Sequence, residues 1–271
     1  MASFKFGLIA DTQYANRPPS IGRYYRNALE KTKCSMNFFR TANVDFIVHL
    51  GDIVDWPNQP DKGCEALDTI LPILNSISIP VYYVLGNHDL ASVPYPILQK
   101  KLDIKRDEAW YSFDYGDVHF ILLDCNFDVT AARYCPHYSQ WDQCYIPEQE
   151  QLWLRHELQA TSARTIVVFV HALLDDFENP HVIRNAAVIR GILESAGKQV
   201  LVFQGHMHCG HESQKNGIQY HTLKSIVDGR SHTCFWIVEV TPDGLFVDRY
   251  DYNKCSGKSS REWLLKFSES R

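Results

Sequence analysis

Five short apolar runs in the chain each end in a group of Asp, Asn, Gln or His residues. The runs are KFGLIA, VDFIVHL, IPVYYVL, TIVVFV and QVLVFQ. The polar groups that follow them are Asp11-Thr12-Gln13, Gly51-Asp52-Ile53-Val54-Asp55, Gly86-Asn87-His88-Asp89, His171 and Gly205-His206-Met207-His208. Short runs rich in Val and Ile predict buried β-strands. Because ligands of open α/β sheets bind at the carboxyl ends of the strands, the pattern predicts a functional site at one sheet edge.

The rest of the chain alternates helical periodicity with further strands and hairpins. We expect helices from Ile21 with Ser20 as N-cap, from Cys64 to Leu74 with a kink or end at Pro72, from Pro147, and from about His181 to Ala196. Hairpins are predicted around residues 115–117 and 242–244. This order predicts an α/β fold, in which two mixed β-sheets pack as a sandwich with helices on the outer faces. We expect one catalytic domain over residues 1–271, with residues 125–147 as an irregular insertion close to the substrate site.

Composition excludes several classes of protein. The net charge of −5, with 45% hydrophobic and 22% charged residues, is typical of a globular protein and not of a dedicated nucleic-acid binder. No apolar stretch approaches the length of a membrane-spanning helix, and the N-terminus makes a poor signal peptide. The eight cysteines are scattered without a Cys-x-x-Cys pair, which favours free thiols and a cytoplasmic protein. Cys135 and Cys144, in one long loop, are the pair to examine for a bridge.

The residue types at the strand ends indicate metal binding. A single Asp after a strand is more often a helix cap, and a single His in a strand is more often a core residue. Carboxylate, amide and imidazole groups at five strand ends, with glycines for tight turns, predict a binuclear site for hard or borderline divalent ions.

The five motifs, in this order, resemble those of the calcineurin-like metallophosphoesterases. That family has Asp-x-His, Gly-Asp-x-x-Asp, Gly-Asn-His-Asp/Glu, a lone His and Gly-His-x-His; here they stand as DTQ, GDIVD, GNHD, FVHALL and GHMH. The resemblance covers residue 6 to about residue 210. It implies that fold's two-sheet sandwich and hydrolysis of a phosphate ester by a hydroxide that bridges two metal ions.

The resemblance also implies a ligand set. Asp11 and His208 would hold one ion with Gln13 beside them, Asp52 would bridge, and the second ion would be held by Asn87, His171 and His206. Gln13 departs from the family, which usually has His there. Its neutral carbonyl oxygen should shift preference from Zn²⁺ toward Mn²⁺ or Mg²⁺. Alternatively, Gln13 hydrogen-bonds a metal-bound water.

Two further residues are candidates for catalysis. His88 would face the leaving oxygen as general acid or electrostatic clamp, and Asp55 would orient it. The alternative for Asp55 is a loop cap. His211 is expected at the rim, whereas His49 and His119 are expected to be structural.

Among metallophosphoesterases, the chain lacks the protein-phosphatase motifs, because Trp56 follows Asp55 and Leu85 precedes Gly86. DTQ followed by Tyr14, together with Arg23-Tyr24-Tyr25, is similar to the manganese-dependent ADP-ribose/CDP-alcohol diphosphatases. This implies cleavage of ADP-ribose to AMP and ribose 5-phosphate, or of CDP-choline to CMP and phosphocholine. Two divalent ions are implied, with Mn²⁺ preferred and Mg²⁺ or Zn²⁺ possible. The alternatives are a cyclic-nucleotide or other phosphodiesterase and a non-catalytic scaffold.

Aromatic residues near the motifs are candidates for contact with the base or sugar of a nucleotide. They are Tyr14, Tyr24, Trp56, Tyr134 and Trp141, and Cys209 is added because it follows the GHMH motif. The expected partner is a small nucleotide diphosphate, with no nucleic acid and no membrane, and the expected state is a monomer.

Overall fold

The computed structural model describes residues 3–175, 178–253 and 256–267. The strands are β1 (Phe4–Ile9), β2 (Phe46–His49), β3 (Val81–Tyr83), β4 (Tyr111–Tyr115), β5 (Val118–Leu122), β6 (Thr165–Val170), β7 (Gln199–Gln204), β8 (His211–Lys215), β9 (Ile218–Thr222), β10 (His232–Thr241), β11 (Gly244–Asn253) and β12 (Ser256–Lys266). The α-helices are α1 (Ala28–Ala42), α2 (Pro60–Leu74), α3 (Asn87–Ser92), α4 (Tyr95–Lys101), α5 (Glu148–Ala160) and α6 (Ala186–Glu194), and a 3₁₀ turn (Tyr25–Asn27) precedes α1. None of the helices in these ranges is both long and apolar enough to cross a bilayer.

The strands form two six-stranded mixed sheets. One has the order β12-β11-β10-β1-β2-β3 and the other β4-β5-β6-β7-β9-β8. In the first sheet β1, β2 and β3 are parallel, and in the second β5, β6, β7 and β9 are parallel. The carboxyl ends of the parallel strands therefore lie together at one edge of each sheet.

The two sheets face each other across a layer of aromatic rings. Phe6 on β1 stacks on Phe46 with 5.2 Å between ring centroids. Phe6 also meets Phe120, Phe169 and Phe203 of the second sheet edge-on, at 5.5, 6.1 and 6.2 Å. These rings are fully buried or nearly so, and offset or edge-on geometry is the arrangement that aromatic pairs prefer. The aromatic layer fixes the two sheets relative to each other.

Alternate residues on the same strands point outward and are aliphatic. Ile47 on β2 and Val168 on β6 belong to a different buried cluster from their neighbours Phe46 and Phe169. That cluster includes side chains of α1, α2, α5 and α6, which cover the outer faces. The predicted fold class, an α/β sandwich of two mixed sheets with helices outside, is confirmed.

The predicted strands and hairpins are confirmed, but two helix boundaries were wrong. The first helix begins at Ala28 and not near Ile21, and Ser20 forms a turn with Arg23. Ile21 and Gly22 have φ of 44° and 82°, which are incompatible with a helix. This segment is instead held by distant backbone, since Tyr24 N–H donates to Val227 at 2.9 Å. Tertiary contacts therefore override the helical periodicity.

The sixth helix was also predicted too long. It begins at Ala186, because residues before it bond to the loop after β6, where Ile183 N–H donates to the Leu173 carbonyl at 2.9 Å. The proline in α2 lies in its last turn, two residues before Leu74. Strands β8 and β12 and the short helices α3 and α4 were not predicted.

The insertion at 125–147 has no regular helix or strand and is held by isolated bridges such as Phe127 with Tyr145. The seven cysteines in the described residues are free thiols, and Cys255 lies outside them. Cys135 is exposed and Cys144 is buried, so the suggested pair is not bridged.

Candidate metal centre

Predicted ligands from four of the five strand ends lie within 3.6 Å of one another in a chain of contacts. The Asp52 Oδ2 atom, after β2, lies 3.3 Å from His171 Nε2, after β6. It also accepts a 3.0 Å hydrogen bond from Gln13 Nε2, after β1. His208 Nε2, after β7, lies 3.3 Å from Gln13 Nε2 and 3.6 Å from Asp11 Oδ1. Asp52 therefore occupies the position between the two groups of ligands that a bridging carboxylate requires.

Four of these ligands have a left-handed backbone, which non-glycine residues seldom adopt. The φ angles are 53° at Asp11, 40° at Gln13, 57° at Asp52 and 65° at His206. Such conformations cost about 1–3 kcal/mol each and persist where the surrounding structure enforces them, commonly at functional sites. Each one turns the chain sharply at the strand end and brings its side chain into the site.

Gly86 allows the turns after β2 and β3 to approach each other. A Cβ atom at this position would lie 2.1 Å from Asp52 Oδ1 and 2.3 Å from Asp52 N. Both neighbours belong to the proposed bridging residue, and one of them is backbone that cannot move aside. A side chain at Gly86 would therefore displace Asp52.

Each of the three predicted histidine ligands has one ring nitrogen engaged by an oxygen acceptor. His171 Nδ1 donates to the Leu50 carbonyl at 2.8 Å, and His206 Nε2 donates to the Trp141 carbonyl at 3.1 Å. His208 Nδ1 bonds the Asp228 carboxylate at 3.1 Å. Since a carbonyl can only accept, the ring nitrogen bonded to it carries a hydrogen, and the other nitrogen of His171 and of His206 is the one that a metal ion can approach. This is the usual outer support of a metal-binding histidine, which fixes its tautomer and ring orientation.

The centre contains buried polar atoms with few or no protein partners. Gln13 Oε1 and Asn87 Oδ1 make no hydrogen bond, His171 Nε2 has only Asp52 Oδ2 beside it at 3.3 Å, and all three residues are buried. Buried acceptors without partners are rare because each costs about 1–3 kcal/mol. All three are ligand-type atoms on predicted ligands, and Asp52, His171 and His206 also form a group compact enough for one ion. The residues present therefore fit bound divalent cations.

Gln13 bears directly on the preferred metal. Its Nε2 atom lies among the ligand atoms of Asp52 and His208, while its Oε1 is the atom without a partner. A half-turn of the amide exchanges the two atoms and places the oxygen 3 Å or slightly more from its neighbours. Ligand atoms around a small octahedral cation are separated by about 3 Å. Direct coordination by the Gln13 carbonyl thus requires only this rotation.

The carboxylates make the centre attractive to positive charge. Burial alone would lower the pKa of His171, but Asp52 and Asp11 raise it to about 10. By contrast, burial and the positive charge on His171 hold the pKa of His206 well below its usual range. Without a metal ion, the buried carboxylates thus favour a proton on His171, and a cation that binds there takes the place of that proton.

His88 and Asp55 form a pair beside the ligands. His88 Nδ1 lies 2.9 Å from Asp55 Oδ1, and Arg17 donates to the other oxygen of Asp55 at 2.6 Å. Burial alone would lower the pKa of His88, but Asp52 and Asp55 raise it. Arg23 Nη1 lies 3.6 Å from Asp55 Oδ2. The arrangement orients the His88 ring and favours its protonated form.

A cavity opens over this centre, and part of its wall comes from residues that the sequence interpretation did not assign to it. It is lined by Gln13, Arg23, Asp52, His88, Trp141, His181, His206 and His208. Arg23 was noted only as part of an Arg-Tyr run, and His181 was not singled out. Trp141, from the irregular insertion, was one of several aromatic candidates. A single basic residue in a loop gives no periodic signal, so Arg23 and His181 could not be found from spacing.

Of the six candidates for substrate contact, Trp141 lines this cavity, whereas Tyr14, Tyr24, Trp56, Tyr134 and Cys209 do not. Tyr14 is buried in the core, and Tyr24 lies beside the 3₁₀ turn. Trp56 is half-buried under the ammonium of Lys62, with 4.8 Å from Nζ to the ring centroid. Cys209 is exposed and lines a separate groove, because the chain turns away after His208.

Three further histidines that the sequence analysis named, His49, His119 and His211, are not among the predicted ligands. Buried His49 bonds Thr12 and the Gly51 N–H, and burial lowers its pKa to about 3. His119 bonds Asp114 at 2.7 Å, and His211 Nε2 lies 3.4 Å from Asp175. None of them lines the cavity.

The model of the calcineurin-like phosphoesterase family matches residues 4–210. The chain belongs to this family. A manganese-dependent ADP-ribose/CDP-alcohol diphosphatase of Oryza sativa subsp. japonica is 25% identical and covers 90% of each chain. A serine/threonine-protein phosphatase, CPPED1, of Bos taurus is 29% identical over 81% of this chain and 72% of its own. A dimetal phosphatase of Danio rerio has the same fold, with a TM-score of 0.81 and 21% identity over 97% of this chain and 99% of that one. Family and ligand set together support a dimetal phosphoester hydrolase.

A buried lysine, Lys31, holds a loop next to the candidate metal centre. The Lys31 ammonium lies within hydrogen-bond distance of four consecutive carbonyl oxygens, at 2.7 Å from Ile226, 3.3 Å from Val227, 2.9 Å from Asp228 and 2.6 Å from Gly229. Burial lowers its pKa to about 8. The segment it holds carries the Asp228 carboxylate that bonds His208. Lys31 thus holds the loop that carries the carboxylate bonded to His208, a predicted ligand.

We expect Lys31→Met to destabilise the fold and weaken metal binding together. Losing the ammonium leaves buried carbonyls without donors, so the free energy of unfolding should fall by about 3 kcal/mol. Release of Asp228 should lower Mn²⁺ affinity about 10- to 100-fold, the usual effect of losing an outer-shell partner. Chemical denaturation and calorimetric Mn²⁺ titration measure the two effects, with exposed Lys33→Met on the same helix as control. A loss of stability with unchanged Mn²⁺ affinity would show that Lys31 does not position His208.

Proposed function

We propose that the chain hydrolyses the diphosphate bond of nucleoside diphosphates linked to a sugar or an alcohol, with Mn²⁺ as the preferred ion. ADP-ribose would give AMP and ribose 5-phosphate, and CDP-choline would give CMP and phosphocholine. The observation that carries the proposal is Gln13 in a ligand position, in a chain that aligns over 90% of its length with a relative named for this activity. An oxygen ligand in place of imidazole suits Mn²⁺ or Mg²⁺ better than Zn²⁺.

Two divalent ions, when bound, polarise the phosphate oxygens and acidify the attacking water. The chain's own residues supply the rest. Arg23 brings a permanent positive charge to the cavity wall. There it can hold the phosphate group of the substrate whose phosphorus is not attacked. His88, kept protonated by Asp55 and Asp52, can donate its Nε2 proton to the leaving phosphate oxygen.

The cavity also favours a substrate with a planar or extended group beyond the phosphates. Trp141 is about half exposed and lines the same cavity as Arg23. An exposed indole beside a cation site is suited to stack on a nucleobase or cover a sugar ring. The irregular insertion would therefore contribute to substrate choice.

Three other functions compete with this one. A cyclic-nucleotide phosphodiesterase would use the same ligands and the same His88. A protein phosphatase is suggested by the bovine relative, but the arginines of the protein-phosphatase motifs are absent from the positions after Asp55 and before Gly86. A scaffold has no need for the buried acceptor atoms of Gln13 and Asn87, which bound cations would satisfy. That the chain acts as one catalytic domain, as a monomer and in the cytoplasm stays a prediction.

The direct test is turnover of ADP-ribose with Mn²⁺ and, separately, with Mg²⁺, with products separated by chromatography. We expect AMP and ribose 5-phosphate, formed faster with Mn²⁺, and loss of turnover in Asp52→Asn, which removes the proposed bridging charge. A cyclic nucleotide and a phosphoserine peptide are run in parallel. Cleavage of either in preference to ADP-ribose and CDP-choline would replace the proposal, and no cleavage of any substrate by metal-loaded protein would favour the scaffold.

His88→Ala should lower the rate constant kcat for ADP-ribose about 10²- to 10⁴-fold, the usual contribution of a general acid. Mn²⁺ affinity should change little, because the ring is not a ligand. His156→Ala, an exposed residue on α5, is the matched control. A loss of less than tenfold would show that His88 is not the acid, and a parallel loss of Mn²⁺ would show that it supports the ligands instead.

Gln13→His should raise affinity for Zn²⁺ relative to Mn²⁺ by about tenfold or more, since imidazole is a better ligand for Zn²⁺. Competitive loading with the two ions, followed by elemental analysis of the protein, measures the ratio without relying on activity. Exposed Gln59→His is the control for an added surface imidazole. An unchanged ratio would mean that Gln13 does not coordinate directly.

A further inference from the structure

A second group of ligand-type side chains lies on the hairpin of β10 and β11. It consists of His232, Cys234 and Asp251, whose ligand atoms all lie within 4.8 Å of one another. His232 and Cys234 are two residues apart and so share one face of β10, and Asp251 is the direct cross-strand partner of Cys234. Regular strand geometry therefore brings these three side chains to one face of the sheet.

The three ligand atoms converge on a common point. His232 Nε2 lies 3.1 Å from Cys234 Sγ and 2.9 Å from Asp251 Oδ1. Both contacts are made by the same nitrogen. A catalytic Cys-His-Asp arrangement needs the thiol and the carboxylate on opposite nitrogens of the ring, so this group cannot act as a nucleophile relay. The convergence of the three ligand-type atoms on one point is instead compatible with binding of a single ion.

We propose that His232, Cys234 and Asp251 form a second metal site, separate from the phosphoesterase centre, for a borderline-soft divalent cation of the Zn²⁺ class. Imidazole, thiolate and carboxylate are the ligands that Zn²⁺ takes in proteins. Cys234 is buried, whereas His232 and Asp251 are partly exposed, so an ion can enter from solvent. This set contains a thiolate, and the seven predicted ligands of the phosphoesterase centre contain none.

The spacing of the group requires little rearrangement. Ligand atoms at about 2.0–2.3 Å from a tetrahedral Zn²⁺ lie about 3.5 Å apart. The two measured separations are shorter than this by a few tenths of an ångström, which side-chain rotation can supply. The fourth position is left for water from the groove that Cys234, Asp251 and Cys209 line.

Two features oppose the ion and make the site weaker than a permanent structural zinc. Lys224 Nζ lies 3.1 Å from Asp251 Oδ2, and its charge repels a cation. Burial raises the pKa of the Cys234 thiol to about 12; Asp251 and Asp228 also raise it, whereas Lys224 and Lys31 lower it. The ion must therefore displace the thiol proton to solvent as the metal–sulfur bond forms. We infer that an ion bound at this site exchanges with ions in solution.

The test is cobalt titration of the full-length protein whose phosphoesterase centre has first been saturated with Mn²⁺. Co²⁺ replaces Zn²⁺ in such sites, and a thiolate ligand gives it a near-ultraviolet charge-transfer absorption that nitrogen and oxygen ligands do not. Of the two ligand groups found in the described residues, only this one contains a cysteine. We expect the band to grow to one Co²⁺ per chain and to disappear when Zn²⁺ is added.

Variants assign the band to the three residues. Cys234→Ser should abolish it, and Cys209→Ser, in the same groove, should leave it. Because Cys234 is buried and its replacement can unfold the hairpin, Asp251→Asn provides a second probe at an exposed position, with Co²⁺ affinity reduced about tenfold or more. Lys224→Met should tighten Co²⁺ binding about fivefold by removing the repulsion.

The proposal is overturned if the wild-type protein shows no thiolate band at millimolar Co²⁺. It is equally overturned if the band persists in folded Cys234→Ser, which would assign it to another cysteine. Weaker binding in Lys224→Met would show that the lysine supports a structural hydrogen-bond network and not a cation site.

Discussion

The metal centre depends on the side chain of Asp89, which holds the turns after β2 and β3 together. Its two carboxyl oxygens accept hydrogen bonds from the backbone N–H groups of Asp52, Ile53, Val54 and Gly86, at 2.9, 2.7, 3.2 and 2.9 Å. The left-handed turn at Asp52 removes these N–H groups from the sheet, and buried N–H groups must find another acceptor. Asp52 in turn accepts from the His88 N–H at 2.8 Å. The two turns are thus bonded to each other in both directions, and Gly86 is the residue that lets them meet.

This arrangement explains how the sequence could group candidate ligands that lie far apart along the chain. Each ligand follows an apolar strand directly or within a few residues, and the alternation of residues along β2 and β6 fixes which side chains face the other sheet. Once the sheets pack through Phe6 and its neighbours, the position of every strand end follows. The information is local to each motif, and the two-sheet fold brings the motifs together.

The cavity wall depends on contacts that are not local. Arg23 reaches the cavity because its segment pairs with residues 227–229, more than 200 positions away, and the same pairing prevents the helix expected from Ile21. His181 is placed by its carbonyl, which accepts from Leu173 at 3.1 Å, and Trp141 by its carbonyl bond to His206. Residue type and spacing do not predict such long-range backbone pairings. Sequence interpretation therefore missed Arg23 and His181 as parts of the cavity wall, and of its aromatic candidates Trp141 lines the cavity whereas Tyr14 and Trp56 do not.

Residues 226–232 connect features that otherwise look unrelated. Ile226 and Val227 donate to the backbone of Ala10 and Asp11 at 3.1 and 3.0 Å, and Asp228 bonds His208. The segment has no strand or helix until His232, so its inward carbonyls need a hydrogen-bond donor from elsewhere. The Lys31 ammonium provides it. An ion at His232 would restrain the other end of the same segment. If restraint at one end of the segment favours the geometry that is needed at the other end, the two ends share a coupling free energy. This coupling acts equally in both directions. Segment 226–232, and not the rigid strand ends, is where a second cation could influence the first.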